Sequence, residues 1–163
     1  NIFGQLFAAF LEGGGEAFSL DRGAVIELLS GRARTILCDR HRGMGGAGDD
    51  PAAALAAVLA RPDWISESAL CRSLRRPLSE IAYHYLAEEK DARGKPLNPV
   101  AGFHLGNGAR VARANVNFAA NTSPRGLAES CGLMVNYVYS QRALAPIGRA
   151  VRSLLPWGER NRV

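Results

Sequence analysis

Residues 97–139 read LNPVAGFHLGNGARVARANVNFAANTSPRGLAESCGLMVNYVY, and this stretch decides the fold. Successive side chains of a β-strand point to opposite faces. A strand over Val100–Leu105 would therefore place Phe103 and Leu105 on one face and His104 on the other. The sequence thus predicts a strand with one titratable group opposite an apolar face.

The same stretch contains a turn signal and a helix start. Asn-Gly within Gly106–Gly108 favours a tight turn, which predicts a β-hairpin between Val100–Leu105 and a second strand over about Ala109–Phe118. Ser123 can then accept a hydrogen bond from the first turn of a helix that begins at Pro124. Apolar residues continue at helical spacing, at Leu127, Cys131, Met134 and Val138. Because two strands are fewer than a usual sheet has, further strands either lie in the first half or belong to polypeptide outside this sequence.

The first ninety residues are predicted to be mainly helical. Their apolar side chains recur at helical spacing, and glycine, proline and acidic residues mark the helix ends. The predicted helices are Ile2–Leu11, Asp21–Leu29, an alanine-rich segment capped by Asp49-Asp50-Pro51 that runs to about Leu59, about Glu67–Leu74 and about Leu78–Glu89. A flexible loop is predicted at Arg40–Gly48, a polar turn at Asp91–Pro96 and a last helix at Ile147–Leu155. The glycine run in that loop lacks the GK[ST] ending of a phosphate-binding loop.

These elements together predict an α+β fold. The length of 163 residues and the hydrophobic fraction of 47% suit one globular domain over residues 1–163, or part of one catalytic domain. Residues 1–96 would form its mainly helical part, and residues 97–163 the hairpin and the C-terminal helices. No apolar run approaches the length that spans a bilayer, so no membrane partner is predicted.

Charge and cysteine content narrow the classes of partner. The 20 basic residues outnumber the 15 acidic ones, an excess that could serve a nucleic acid or the phosphates of a small anionic ligand. The arginines are dispersed, and the aromatic content of 7% offers no stacking platform among them, which argues against nucleic acid. Three widely separated cysteines, Cys38, Cys71 and Cys131, form neither a disulfide framework nor a metal-binding spacing. A reducing cytoplasm is the predicted setting.

Several short blocks in residues 98–137 follow one another in a characteristic order. NPVA, FHL, NGA, SPRG, GLM and NY form a pattern that resembles the closing region of malonyl-CoA decarboxylases. Weaker agreement extends upstream through Arg61–Trp64, Pro77-Leu78 and Tyr85-Leu86. The resemblance implies the C-terminal portion of a GCN5-related acyltransferase-like domain, and the carboxy-lyase reaction that converts malonyl-CoA to acetyl-CoA and carbon dioxide.

The resemblance places His104 at the family's catalytic histidine. An imidazole exchanges protons near neutral pH, as a proton donor to an enolate must. From the residues alone, a hydrogen-bonded structural histidine is the alternative. The family's serine partner lies in an SPIP-like segment ahead of a helix resembling Ile2–Leu11, so this serine is expected upstream of Asn1. No metal or organic cofactor is expected, because the thioester of the substrate delocalises the charge.

The resemblance also suggests residues that would bind the substrate. The turn at Ser123, Arg125 and Gly126 offers free backbone amides and a positive helix end, which suit a carboxylate or an oxyanion. An ordinary helix cap is the alternative there. The family's NGA and NY-Y positions, which could line an acyl pocket, correspond to Asn107, Asn136, Tyr137 and Tyr139.

Two other classes of function stay open at this point. One is an acyltransferase, or a decarboxylase, that acts on thioesters of coenzyme A or of a carrier protein. The other is a non-catalytic fragment that binds an acyl-CoA or a partner chain. Exposed apolar helix stripes would favour a homo-oligomer or association with the upstream part of the protein.

Overall fold

Helices dominate the first two thirds of the described chain. The computed structural model describes residues 19–140. Its helices up to residue 90 are α1 (Arg22–Leu28), α2 (Gly31–Gly43), α3 (Pro51–Leu59), a 3₁₀ turn (Pro62–Ser66) and α4 (Ser68–Ala87). Side-chain caps start three of them: Asp21 accepts from the Ala24 amide, Ser30 from Ala33 and Asp50 from Ala52. The predicted helices at Asp21–Leu29 and Pro51–Leu59 are therefore confirmed.

Two predictions in this half are wrong. The loop predicted at Arg40–Gly48 begins only at Met44, because α2 continues through Gly43. Basic side chains in its last turn complement the negative end of the helix dipole. The two helices predicted on either side of residue 77 are one helix, α4, with Pro77 inside it. Pro77 is buried in the same apolar stripe as its neighbours, so burial along the stripe offsets the missing backbone hydrogen bond.

Helix α4 lies at the centre of the core. It packs against α1, α2, the 3₁₀ turn and the strand region of the second half. The side chains that it buries are Leu70, Leu74, Pro77, Leu78, Ile81, Ala82 and Tyr85. Trp64 of the 3₁₀ turn is 1% exposed and belongs to the same cluster. Helix α4 thus connects the helices of the first half with residues 98–137, which contain the short motifs described above.

The segment that contains His104 is a helix, not the predicted strand. Helix α5 spans Pro99–Gly106, and the Asn98 side chain accepts a hydrogen bond from the Ala101 amide at 2.9 Å. Pro99 occupies the first helical position, where its missing N–H costs nothing. The N-cap and the proline favour a helix more strongly than the alternation of apolar and polar residues over Val100–Leu105, only six residues, favours a strand.

The strands pair over a long distance instead of forming the predicted local hairpin. The four short strands of the described residues are β1 (Ala109–Arg110), β2 (Val116–Asn117), β3 (Met134–Val135) and β4 (Val138–Tyr139). Strand β2 pairs antiparallel with β3, and β1 pairs antiparallel with β4, which aligns Ala109 with Tyr139. A helix, α6 (Pro124–Ser130), lies in the chain between β2 and β3. Within residues 19–96, the first half adds only an isolated bridge between Lys90 and Pro96.

Helix α6 starts as predicted and ends earlier. Ser123 accepts a hydrogen bond from the Gly126 amide at 3.1 Å, and Pro124 follows it. Cys131 then adopts a left-handed conformation with φ 50°, which ends the helix. Met134 and Val138 consequently lie in strands and not on the predicted helix face. The predicted helices Ile2–Leu11 and Ile147–Leu155 lie outside the described residues.

The observed architecture is α+β, as predicted. The assignment to a GCN5-related acyltransferase-like domain stays a prediction from the resemblance. Among residues 19–140, no helix has both the length and the apolar character needed to cross a membrane.

Candidate functional site

His104 is held by two tyrosines of the final strand segment. Helix α5 leads directly into β1, and the pairing of β1 with β4 brings residues 137–139 beside the end of α5. The His104 Nδ1 atom lies 2.8 Å from the Tyr139 hydroxyl oxygen. The Tyr137 ring stacks on the imidazole, with centroids 4.2 Å apart and planes at 17°. The hydrogen bond and the stack together fix the orientation of the His104 imidazole ring.

The tyrosine contact determines which imidazole nitrogen is left for a ligand. When the Tyr139 hydroxyl donates to Nδ1, a neutral ring carries its proton on Nε2. That N–H can donate a hydrogen bond to a bound molecule. Proton transfer requires the protonated ring, in which Nδ1–H donates to the Tyr139 oxygen and Nε2–H is the acidic group. Burial, with a further contribution from Tyr139, raises the pKa of Tyr137, which keeps its hydroxyl protonated at neutral pH.

His104 lines a cavity of about 550 Å³. The cavity lies where α4, α5, α6 and the strand ladder meet. Its walls are formed by Ala82, Tyr85, Leu86, Asn98, Pro99, Val100, His104, Val116, Asn121, Gly126, Glu129, Ser130, Leu133, Met134, Val135 and Tyr137. The wall is mostly apolar, with a few converging polar groups, which is the usual character of a small-ligand site.

Gly126 is the part of the SPRG turn that reaches the cavity. Its position is buried, and a methyl group added there would overlap the Asn121 side chain. The side-chain oxygen Oδ1 of Asn121 in turn accepts a hydrogen bond from the Ser123 hydroxyl at 2.8 Å. Ser123 therefore holds Asn121 against Gly126 and does not itself line the cavity.

The remaining predicted binding residues lie at the periphery. The Arg125 side chain is 85% exposed and pairs with Glu129 at 2.8 Å. Asn107 is an exposed residue at the C-terminus of α5. Asn136 lies in the turn between β3 and β4, and its backbone amide donates to the Asn115 carbonyl at 3.0 Å. Of the predicted site residues, the structure brings together His104, Gly126, Tyr137 and Tyr139.

Sequence reasoning missed several polar residues of the cavity. Asn98 is the N-cap of α5, a role that its position before Pro99 indicates in the sequence. Its Nδ2 atom also lies 3.5 Å from the Tyr85 hydroxyl. Glu129 could have been found as the partner of Arg125 four residues earlier on α6. Tyr85 belongs to the apolar stripe of α4, and burial raises the pKa of its hydroxyl. Nothing in the stripe distinguishes it from a core tyrosine.

Two other histidines lie outside this cavity wall. His84 on α4 contacts three groups: Nδ1 lies 2.7 Å from Glu88 Oε2, and Nε2 lies 2.9 Å from Ser19 Oγ and 3.1 Å from Glu89 Oε1. Glu89 also accepts from the Ser19 amide at 2.7 Å, so this cluster fastens the start of the described chain to α4. His41 lies in the last turn of α2 and not in the predicted loop. Within residues 19–140, no group of three His, Cys, Asp or Glu side chains could hold a metal ion.

We expect Cys131 to resist thiol reagents in the folded protein. Burial raises the pKa of its thiol from 9.0 to about 11, so at pH 8 its reactive thiolate is about 100-fold rarer than that of an unperturbed thiol. Half-buried Cys71 is the internal comparison; burial raises the pKa of its thiol as well, but by less than that of Cys131. Peptide mass spectrometry after brief iodoacetamide treatment should show Cys71 modified well before Cys131. Equal labelling of the two would contradict the buried placement of Cys131.

Comparisons with known proteins agree on one family. Residues 26–149 match the model described as malonyl-CoA decarboxylase C-terminal domain. The chain is 45% identical over 91 residues to mitochondrial malonyl-CoA decarboxylase of Anser anser anser, which is 56% of this chain and 18% of the relative. It is 42% identical over 99 residues to the Rattus norvegicus protein of the same name, which is 61% of this chain and 20% of the relative. The chain thus spans about a fifth of the length of these curated relatives.

A solved structure gives a further match. Malonyl-CoA decarboxylase from Rhodopseudomonas palustris is 34% identical in sequence, and the match covers 78% of this chain and 32% of that one. The TM-score of this match is 0.49.

Proposed function

Because the chain belongs to the malonyl-CoA decarboxylase family, we propose that the protein carrying it converts malonyl-CoA to acetyl-CoA and carbon dioxide. The match over residues 26–149 supports the family's reaction. The observation that carries the proposal is His104, oriented by Tyr137 and Tyr139 in the wall of a 550 Å³ cavity. The chain is about a fifth of its curated relatives, so the activity is proposed for the whole protein.

The reaction needs a proton at one carbon atom. The bond between the α-carbon and the carboxylate breaks, its electron pair passes into the thioester as an enolate, and the α-carbon then takes a proton. We propose that protonated His104 supplies this proton from Nε2 and so returns to its neutral form, or that neutral His104 activates the expected upstream serine. The mostly apolar wall supports the first step, because a carboxylate loses favourable hydration there and neutral carbon dioxide does not.

The other predicted residues take lesser roles in this proposal. Gly126 and Tyr137 line the space for the acyl group, and Tyr139 orients the histidine. Binding roles for Asn107, Ser123, Arg125 and Asn136 stay predictions from the resemblance. No metal or organic cofactor is required, because the thioester holds the charge of the enolate.

Compartment and assembly belong to the same proposal. The curated relatives carry the word mitochondrial in their names, whereas the cysteines of this chain favour the cytoplasm. We propose a reducing compartment and self-association, or association with the upstream part of the protein. Sedimentation of the whole protein over a range of concentrations tests self-association, and a constant monomer mass would contradict it.

The experiment that tests the reaction compares three thioester substrates. Whole protein is incubated with malonyl-CoA, malonyl-carrier protein or acetyl-CoA, and carbon dioxide release and product thioesters are measured. We expect carbon dioxide and acetyl-CoA in equal amounts from malonyl-CoA. Release from malonyl-carrier protein alone would favour the carrier-protein alternative. Transfer of the acyl group to an added thiol acceptor without carbon dioxide would favour a transferase.

Tyr139→Phe should lower kcat by about fivefold and leave KM unchanged. The substitution keeps the ring and removes the hydroxyl that contacts His104 Nδ1, a hydrogen bond that contributes about 1 kcal/mol. The measurements are kcat and KM for malonyl-CoA and the urea midpoint of unfolding. A lower urea midpoint with proportionate loss of activity would indicate a structural role, and an unchanged kcat would exclude positioning by Tyr139.

A further inference from the structure

One face of helix α4 carries a group of exposed arginines. They line two neighbouring cavities, of about 400 and 320 Å³, that share Arg76. Arg32 of α2 belongs to the first cavity, and Arg113 belongs to the second. This surface is called the arginine face below, and its exposed arginines are Arg32, Arg72, Arg75, Arg76 and Arg113.

Most of the positive charge on the arginine face is uncompensated. Glu80 accepts a hydrogen bond from Arg113 Nε at 2.7 Å. Within residues 19–140, the other four arginines of this face form no ion pair. The charge affects the neighbouring thiol of Cys71, because burial raises the pKa of this thiol whereas Arg72 and Arg75 lower it.

Arginines on other surfaces of the described chain have partners within the fold. Aspartates form ion pairs with Arg22, Arg40, Arg42 and Arg61. The fold thus neutralises these guanidinium groups internally and leaves those of the arginine face for a ligand. Charge complementarity requires that this ligand be anionic.

The surroundings of the arginines narrow the kind of anionic partner. Among the described residues, the exposed large apolar side chains are Val100, Phe103, Met134 and Val138, and none of them lines either cavity of the arginine face. A membrane surface is therefore a poor match, because helices that lie on membranes combine basic residues with exposed apolar ones. Phe118 is the one aromatic ring among the described lining residues, and the Arg75 guanidinium covers it, 5.6 Å from its centroid. The face therefore offers no free ring on which a base of single-stranded nucleic acid could stack.

The spacing of the arginines suits an extended acidic peptide. Arg72 and Arg76 are four residues apart on α4, which separates them by about 6 Å along the helix axis. Side chains on the same side of an extended peptide recur every second residue, about 7 Å apart. Guanidinium groups donate paired hydrogen bonds to carboxylates, and Ser73 and Ser79 add one hydroxyl to each cavity.

We propose that the arginine face binds an acidic segment of another polypeptide, in which aspartate or glutamate recurs at every second position. The segment lies extended along α4, with one carboxylate at Arg72 and the next at Arg76. Arg32 and Arg113 lengthen the contact at its two ends. This interaction goes beyond the proposed reaction and does not depend on it.

The test measures binding of a fluorescent peptide of Glu-Ser repeats to the whole protein by fluorescence anisotropy, in about 0.1 M salt to screen long-range attraction. We expect saturable binding to wild type. The double variant Arg72→Gln/Arg76→Gln should bind on the order of tenfold more weakly, because two exposed ion pairs are lost. Arg93→Gln/Arg110→Gln is the matched control, since it removes two exposed arginines outside this face and changes the net charge equally. It should bind the peptide as wild type does.

Further probes separate this site from other kinds of binding. A neutral peptide of Gln-Ser repeats should not bind, and a thymidine oligonucleotide of the same charge should bind more weakly than the acidic peptide. Glutamine keeps the helix propensity of arginine, and far-ultraviolet circular dichroism verifies that the variants fold. Absence of peptide binding to wild type would overturn the proposal. Equal weakening in the two double variants would also overturn it, because net charge alone would then explain the binding, and tighter binding of the oligonucleotide would assign the face to nucleic acid instead.

Discussion

Replacing His104 with alanine should lower kcat for malonyl-CoA by about 10²–10⁴-fold, the usual contribution of a positioned general acid or base. The variant removes the only imidazole in the wall of the 550 Å³ cavity within residues 19–140. It also removes the hydrogen bond to Tyr139 and the stack on Tyr137. Both interactions lie beside the strand ladder and not in the core, so the variant should fold. The measurement is carbon dioxide release by the whole protein, with far-ultraviolet circular dichroism to verify folding.

His84→Gln is the matched control for that variant. It also removes a helical histidine, but one whose partners are Glu88, Glu89 and Ser19, away from the cavity. We expect kcat to stay within about twofold of wild type, since these interactions contribute to stability and not to proton transfer. A folded His104→Ala protein with full turnover would remove His104 from the mechanism. A decrease in His84→Gln equal to that in His104→Ala would point to general damage in both.

The sequence singles out His104 as the candidate catalytic residue, but it does not predict the secondary structure around His104 correctly. This histidine is singled out because short motifs around it occur in the same order as in the family. Such a match depends on residue identity and not on conformation. The alternation over Val100–Leu105 predicts a strand, whereas the cap at Asn98 and the proline at 99 produce a helix. Six residues are too few to distinguish the two-residue alternation of a strand from the 3.6-residue spacing of a helix. The capping residues are therefore the better evidence for the secondary structure of this segment.

The tyrosine contacts cannot be derived from local signals. Asn107-Gly108 favours a hairpin turn in the sequence, and its actual role is to end α5: Gly108 has φ 81° and leads into β1. Strand β1 then pairs with residues about thirty positions later. No local pattern encodes a register over that separation. In contrast, the caps at Asp21, Asp50 and Ser123 depend on three or four consecutive residues, and the helices that follow them start where the sequence predicts.

Trp64→Ala should lower the free energy of unfolding by about 3–5 kcal/mol, the usual cost of truncating a buried aromatic side chain to alanine. Trp64 is 1% exposed, and its ring lies 6.1 Å from that of Phe118. Phe118 directly follows β2 (Val116–Asn117). The space left by the indole would therefore lie close to β2, whose Val116 lines the cavity of His104. The measurement is chemical denaturation of the whole protein, with binding of coenzyme A recorded in parallel.

Trp64→Phe separates packing from the polar group of the indole. Within residues 19–140, the buried Trp64 Nε1 has no hydrogen-bond partner, so phenylalanine removes a group whose burial itself costs about 1–3 kcal/mol. The phenyl ring keeps most of the apolar contact with the core. We therefore expect Trp64→Phe to destabilise the protein much less than Trp64→Ala. Equal destabilisation in the two variants would contradict this account, because it would show that the indole N–H contributes as much as the ring that carries it.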